Sequence, residues 1–321
     1  MNKLVSLMAA GTLMASFHAS AEEAYPSRAI RIVLPFPAGG PTDVYGRLVA
    51  NHLSEAWHQP VVPDNRPGAT GTLGTAMVVK SPPDGYTLLM ANTSSHLSPY
   101  LYKTQEYDPN TDLVPVINVV TTPYYLVSNP AFPAKTVQDV VRLIKSKPGF
   151  YSYGSPGIGS GGNMAMEMFK QMAGLNIVQV PYKGAAPEVE ALMAGEVSIC
   201  FDTIGNSQPH VKDGKLRGYA TTGKTRSEAL PDMPTMIESG YPQFEAYIWF
   251  GLFAPKGTPA PIVGKLNAEI SRYMQSPEMK KRLADLTAAF EPRTPAEFKS
   301  FLVTDTKRWR EVITSTGMHL E

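Results

Sequence analysis

The sequence predicts an α/β protein of two domains that face each other across a ligand cleft. Three observations carry that expectation. Apolar stretches of strand length alternate with amphipathic stretches of helix length, the pattern of a parallel-rich sheet covered by helices on both faces. A strand, a glycine-rich turn and a helix follow one another twice, through Pro37-Ala38-Gly39-Gly40 and through Ser155-Pro156-Gly157-Ile158-Gly159-Ser160. The chain has 321 residues, more than one hydrophobic core usually serves.

The elements follow in order. Residues 30–34 are a near-continuous apolar run, as in a strand buried on both faces. The helix over 41–57 carries Val44, Leu48, Leu53 and Trp57 on one stripe, with Pro41 in its first turn, where a missing N–H costs nothing. A short strand at 61–62 and a turn at 65–69 lead to a helix over 72–80, stopped by Ser81-Pro82-Pro83-Asp84-Gly85. Residues 86–91 read as a buried strand and 92–96 as a polar loop at its carboxyl end. An irregular stretch, 100–113, precedes strands at 116–120 and 124–127, separated by Thr121-Thr122-Pro123. Thr136 opens a helix to 147, with Asp139 placed close to a capping box. After the second glycine-rich turn a helix over 163–173 stops at Gly174. A strand at 177–180, a helix at 187–194, strands at 197–201, 218–221 and 247–253, and helices at 262–275, 277–286 and 295–314 complete the chain.

Residues 1–21 read as a cleaved leader: Lys3 is the positive segment, 4–17 the apolar run, and Ala19-Ser20-Ala21 a small-residue cleavage site. The run is short for a membrane span, and no stop-transfer charges follow it. Export to the periplasm is therefore expected. The formal net charge of +1 gives no electrostatic footprint for nucleic acid. Cys200 is the only cysteine, so no intrachain disulfide is possible; its apolar neighbours place it in a strand core.

Each glycine-rich turn opens a helix, whose first N–H groups are unpaired and whose dipole is positive at that end. Glycine lets a ligand approach that backbone closely. Each turn is thus an anion site that needs no charged side chain, and two of them suggest one anion clamped from two sides. Competing chemistry is poorly supported. Gly157-x-Gly159-x-x-Gly162 matches a dinucleotide fingerprint in form, but the next strand ends in Val180-Pro181-Tyr182-Lys183 rather than in an acid. Neither turn carries a P-loop lysine, and neither Ser155 nor Ser160 has the spacing of a nucleophile elbow. His52, His58, His96, His210 and His319 form no metal-ligand pair at helical spacing, so no metal and no cofactor are expected. No acid–base pair or activated nucleophile stands out, and the cleft reads as built to bind rather than to react. Phe36, which directly precedes the first turn, is the best candidate wall; Tyr182 and Trp249 are weaker ones. Asp43 sits in a first helical turn, where complementing the dipole is its ordinary role. Asp202 ends a buried strand and suits either a ligand donor or a local cap.

Several segments resemble the Bug family, the extracytoplasmic solute-binding receptors of tripartite tricarboxylate transporters. They are Leu34 to Asp43, Asp64-Asn65-Arg66-Pro67-Gly68-Ala69, Pro82-Pro83-Asp84-Gly85-Tyr86-Thr87-Leu88, Tyr153 to Ser160, Val180-Pro181-Tyr182-Lys183-Gly184 and Leu230-Pro231-Asp232-Met233-Pro234-Thr235. The resemblance runs in order through the whole mature chain. It implies a type 2 periplasmic-binding-protein fold, with 22–124 plus 246–321 as one domain and 125–245 as the other. It also implies a ligand carboxylate held by Ala38, Gly39, Gly40 and Thr42 from one side and by Ser155, Gly157, Gly159 and Ser160 from the other.

The expectation is a monomeric periplasmic receptor that delivers a small organic carboxylate to membrane transporter subunits. A receptor presenting its ligand to a membrane sensor kinase is the alternative. The ligand's body is set by a far wall drawn from Phe36, Ser94, His96, Tyr182, Asp202 and Trp249, with Asp43 near the first turn. Thr93, Ser94 and His96 would serve the second carboxylate of a dicarboxylate. Phe36 or Trp249 would stack on an aromatic acid, and Asp202 would face the ammonium of an amino acid.

Overall fold

The computed structural model describes residues 25–102, 106–227, 230–286 and 288–319. The expected leader lies outside the described residues. The first half of the chain winds β1 (Ile30–Leu34), α1 (Pro41–Trp57), β2 (Val61–Asn65), α2 (Thr72–Val79) and β3 (Thr87–Asn92). β1 lies between β2 and β3 and pairs parallel with both. Every strand of this group therefore sends its carboxyl end to one edge, where its glycine-rich or polar turn is found.

Two short helical segments, α3 (Thr93–Leu97) and α4 (Pro109–Asp112), lead into β4 (Leu113–Ser128), a single strand of 16 residues. The sequence predicts two strands here, broken at Thr121-Thr122-Pro123. The structure joins them because the break falls where β4 changes partners. Up to Pro123, β4 runs antiparallel to β9 (Tyr247–Pro255); from Tyr124 it runs antiparallel to β7 (Ile199–Thr203) and, from Tyr125, to β8 (Arg217–Thr221). A proline is tolerated where a ladder hands over, since the N–H it lacks has no continuous partner strand to satisfy. Tyr124 itself is fixed to the second group, donating its N–H to Thr222 Oγ1 at 2.8 Å and accepting from Thr222 N at 2.9 Å.

The second group repeats the strand–helix alternation: α5 (Val137–Ser146), β5 (Ser152–Ser155), α6 (Gly161–Ala173), β6 (Val178–Pro181) and α7 (Ala185–Ala194), with α8 (Ile204–Lys212) following β7. β5 pairs parallel with β6 and β7. The chain returns through β9 and closes with α9 (Ala260–Met274), α10 (Pro277–Asp285) and α11 (Pro295–Thr316). The strands form one sheet, ordered β2-β1-β3-β9-β4-β7-β5-β6, with β8 also on β4. One cluster of buried side chains runs from Ile32 and Leu88 through Ile117 and Leu126 to Tyr153 and Met166, so both strand groups share a core. Cys200 is buried in that region's neighbouring cluster with Val127 and Val189. Among the described residues no helix is long and apolar enough to cross a membrane.

Candidate functional site

Both glycine-rich turns leave the carboxyl end of a strand, and they are built alike. In the first, Gly40 is the N-cap residue of α1, and Asp43, three positions on, reaches back to accept from Gly39 N through Oδ2 at 3.0 Å. In the second, Ser160 is the N-cap residue of α6, and Asn163, three positions on, accepts from Gly159 N through Oδ1 at 2.8 Å. A side chain one turn inside each helix thus holds the loop that precedes it. Arg47 Nε lies 2.9 Å from both Asp43 oxygens, and Asn65 Nδ2 donates to Oδ1 at 3.0 Å. Burial raises the Asp43 pKa, but these donors outweigh it and hold the carboxyl below its ordinary range. The same Asn65 amide donates to Phe36 O at 3.0 Å. Asn163 Nδ2 donates to the Tyr153 hydroxyl at 2.8 Å, which donates to Glu167 at 2.6 Å.

Between the turns lies a cavity of about 580 Å³, within the ~300–1,000 Å³ common for small-molecule sites. Phe36, Ala38, Gly40 and Thr42 reach its wall from the first turn, and Gly157 and Ser160 from the second. Ser94, Tyr182 and Asp202 complete the expected residues that line it.

The others lie elsewhere. Gly39 borders a neighbouring cavity of about 110 Å³. Asp43 and Ser155 stand behind the loops; Ser155 Oγ accepts from Gln179 Nε2 at 2.8 Å and underpins Gly157. Gly159 faces Leu101 rather than the cavity: a Cβ there would lie 1.8 Å from Leu101 Cδ1. His96 and Trp249 are core residues, and the far wall expected of them is not formed by them. The 92–96 stretch is not a loop: Asn92 and Ser95 form a capping box that folds it into α3 and turns His96 inward. The His96 ring packs on Trp249 and Phe253 at centroid distances of 5.3 and 5.9 Å, with Nε2 3.3 Å from Asn110 Oδ1. Burial pushes its pKa down to about 4, so it is neutral at ordinary pH. Thr93 Oγ1 is occupied by Trp249 N at 3.1 Å, and Trp249 Nε1 donates to Asp305 at 2.8 Å.

Asp202 is 2% exposed, and its Oδ2 accepts from Asn206 Nδ2 at 2.9 Å and from the Ser207 hydroxyl. Burial raises its pKa to about 6 against the pull of those donors. The start of α8 therefore already holds this carboxylate.

Sequence reading missed part of the wall. The turn around Pro67–Gly71 and the 183–187 segment line it, as do Tyr124 from β4, Phe201 from β7 and Ile248 from β9. A strand pattern alone cannot say which of its faces meets a cavity.

The electrostatics come from backbone. Gly40, Gly71, Gly184 and Thr203 are the N-cap residues of α1, α2, α7 and α8; all line the cavity, and none caps its helix with a side chain. Away from it, Thr136, Ser276 and Thr294 cap α5, α10 and α11 in the ordinary way. α6 also meets the cavity, but its N-cap residue Ser160 accepts from Asn163 N, and α9, whose start lies away from the cavity, has no side-chain cap either. Each helix end carries roughly half a positive charge. On the wall itself Lys183 is the one cationic side chain and Asp202 the one carboxylate. Such an arrangement offers backbone donors to an anion. Among the described residues no three of His, Cys, Asp or Glu are placed to hold a metal.

The chain is similar to known proteins along most of its length. The family model described as "Tripartite tricarboxylate transporter family receptor" matches residues 45–318. Protein BugT of Bordetella pertussis is 36% identical over 301 residues, 93% of this chain and 92% of that protein. A Rhodopseudomonas palustris protein solved with adipate, Rpa4515, is 34% identical with a TM-score of 0.87, covering 92% of this chain and 99% of that one. MatC from the same species, solved with bound malate, is 32% identical with a TM-score of 0.84, covering 90% and 100%. The periplasmic binding protein BugD shares the fold at a TM-score of 0.86 and 33% identity, covering 92% and 100%.

Proposed function

The chain belongs to the tripartite tricarboxylate transporter receptor family, and on that premise we propose that it captures an organic acid with an apolar body in the periplasm and delivers it to the transporter's membrane subunits. The family is one of receptors, not of enzymes. Residues 1–21 supply the export leader. One observation carries the reading: a cavity of about 580 Å³ that collects the uncapped N-termini of α1, α2, α7 and α8 beside a single lysine. An anion there takes up N–H groups that would otherwise lack partners.

The rest of the wall supports the apolar body. Phe36, Pro67, Tyr182, Pro187, Ile248 and Phe250 surround the space between the helix ends. With His96 and Thr93 turned away, a second carboxylate has only the Lys183 side chain as a cation to meet. It also has a second backbone seat at α7, since Gly184, Ala185 and Ala186 line the cavity. This favours an aromatic acid, or a dicarboxylate with a hydrocarbon middle, over a short hydroxy acid. The adipate in the related Rhodopseudomonas palustris structure supports the same choice.

The test is a thermal-shift and calorimetric panel of benzoate, hexanoate, adipate and malate. Benzoate or adipate should raise the melting temperature, as a ligand confined to the folded state must. Binding of malate alone would overturn the apolar-body reading, and silence across the panel in folded, ligand-free protein would overturn the carboxylate reading.

A further inference from the structure

Tyr124 has a feature that fold and family leave unexplained. It is 3% exposed and lines the cavity, yet its hydroxyl is buried without a hydrogen-bond partner. A buried hydroxyl left unpaired is destabilising, because it has given up water and gained no partner. Among the tyrosines of the core, Tyr153 and Tyr219 do find partners, at 2.6 Å to Glu167 and 2.7 Å to Ser128. The Tyr124 phenol lies directly over the first residue of α6: a Cβ at Gly161 would sit 1.6 Å from its oxygen. Only glycine admits the ring there, so the hydroxyl stands at the mouth of the α6 dipole.

A second hydroxyl meets the same residue from the other strand group. Ser94 Oγ accepts from Gly161 N at 3.0 Å, and Ser94 also lines the cavity. An oxygen that accepts this N–H keeps its own O–H to donate. Gly162, the next residue of α6, contributes to the wall as well. Two O–H donors thus converge on a helix N-terminus, and neither group is anionic. Burial, reinforced by Asp305, Asp202 and Glu188, keeps the Tyr124 hydroxyl protonated.

We propose that Tyr124 and Ser94 donate their hydroxyl hydrogens to one ligand carboxylate seated at the N-terminus of α6. This rests on the carboxylate reading above and deepens it by naming the anchor. It also gives the anchor a mechanical place. Tyr124 is the residue at which β4 passes from β9 to β7, so an occupied anchor ties together both strand groups and the strand that joins them.

The experiment compares wild type, Tyr124→Phe and Ser94→Ala by calorimetry, using whichever of benzoate and adipate the wild type binds, and the matching neutral amide, benzamide or adipamide. Removing a hydrogen bond to a charged group should weaken carboxylate binding about tenfold or more in each variant. The preference for acid over amide should shrink in the same measure. Tyr125→Phe, whose residue is one position on and outside the cavity wall, should bind as wild type does. A crystal structure of the wild type with the acid bound should place a carboxylate oxygen within about 3.2 Å of the Tyr124 hydroxyl, and this holds even if a variant fails to fold. Unchanged affinity and acid preference in folded Tyr124→Phe, or a carboxylate seated away from this hydroxyl, would overturn the anchor while the receptor reading stands. Silence of folded, ligand-free wild type across benzoate, hexanoate, adipate and malate would overturn both.

Discussion

At the scale of single residues, His96 and Asp202 show how burial alone fixes a group's role. Both stand at or just past a strand's carboxyl end, and both are buried, at 2% exposed each. His96 has its pKa depressed from 6.5 to about 4 by burial. The unfolded chain therefore binds a proton that the folded chain refuses, and the stability tied to this ring is lost as pH falls from about 6.5 towards 4. His96→Phe keeps an aromatic ring against Trp249 and Phe253, and Nδ1 has no partner to lose. Relative to wild type, the variant should gain about 2 kcal/mol between pH 7.5 and pH 5 in urea denaturation, with ligand affinity unchanged. Asp202 has the opposite sign. Its pKa is raised from 3.8 to about 6, so the folded state holds the extra proton and loses stability as pH rises through that window. Asp202→Asn should gain about 2–3 kcal/mol on wild type between pH 4 and pH 7. A pH-independent difference in either comparison would show that the group is solvated in solution.

At the scale of elements, the helix N-termini separate binding from stability. A helix without a side-chain cap forgoes a few tenths of a kcal/mol or more, and the loss is recovered only when something else meets its N–H groups. Gly40 has φ −81° and ψ 171°, the extended geometry an ordinary N-cap residue adopts, and a Cβ there would come no closer than 3.9 Å to its neighbours, at Pro37 O. Serine is therefore admissible at this position, and its absence is not steric. Gly40→Ser should leave the ligand-free melting temperature equal or slightly higher, because its hydroxyl caps α1. It should weaken carboxylate binding several-fold, because the same N–H groups are then taken. Calorimetry and a melting curve on one preparation read both quantities. A variant that is stabilised and binds undiminished would show that α1 does not serve the ligand.

At the scale of the whole molecule, the alternation of strands and helices was readable because hydrophobic periodicity and glycine stops are local signals. The two glycine-rich turns were readable for the same reason, and even their supports leave a trace, an Asp or Asn three residues past the N-cap. What was not readable is set by distant packing. Nothing near Pro123 tells that β4 continues through it, because the reason is the exchange of β9 for β7 more than 70 residues away along the chain. Nothing near His96 tells that a capping box rolls it into the core. Closure across the cavity is equally non-local. The two strand groups meet there through Ser94 Oγ and Gly161 N at 3.0 Å, through Thr70 Oγ1 and Ile158 O at 3.5 Å, and through Leu101 lying against Gly159. Gly159 has φ +73°, which asparagine tolerates better than other side chains, and a Cβ there would lie 1.8 Å from Leu101 Cδ1. Gly159→Asn should therefore fold but hold the groups apart. Its apparent affinity should fall in proportion to the closed fraction it retains, and its radius of gyration should no longer contract when benzoate or adipate is added, as measured by small-angle scattering. Leu101→Ala in the same chain removes the obstructing methyl groups and should restore both the contraction and most of the affinity. If Gly159→Asn alone contracts and binds as wild type does, the Leu101–Gly159 contact is incidental to closure; if the double variant stays open, the backbone at 159 rather than the space above it controls the fit.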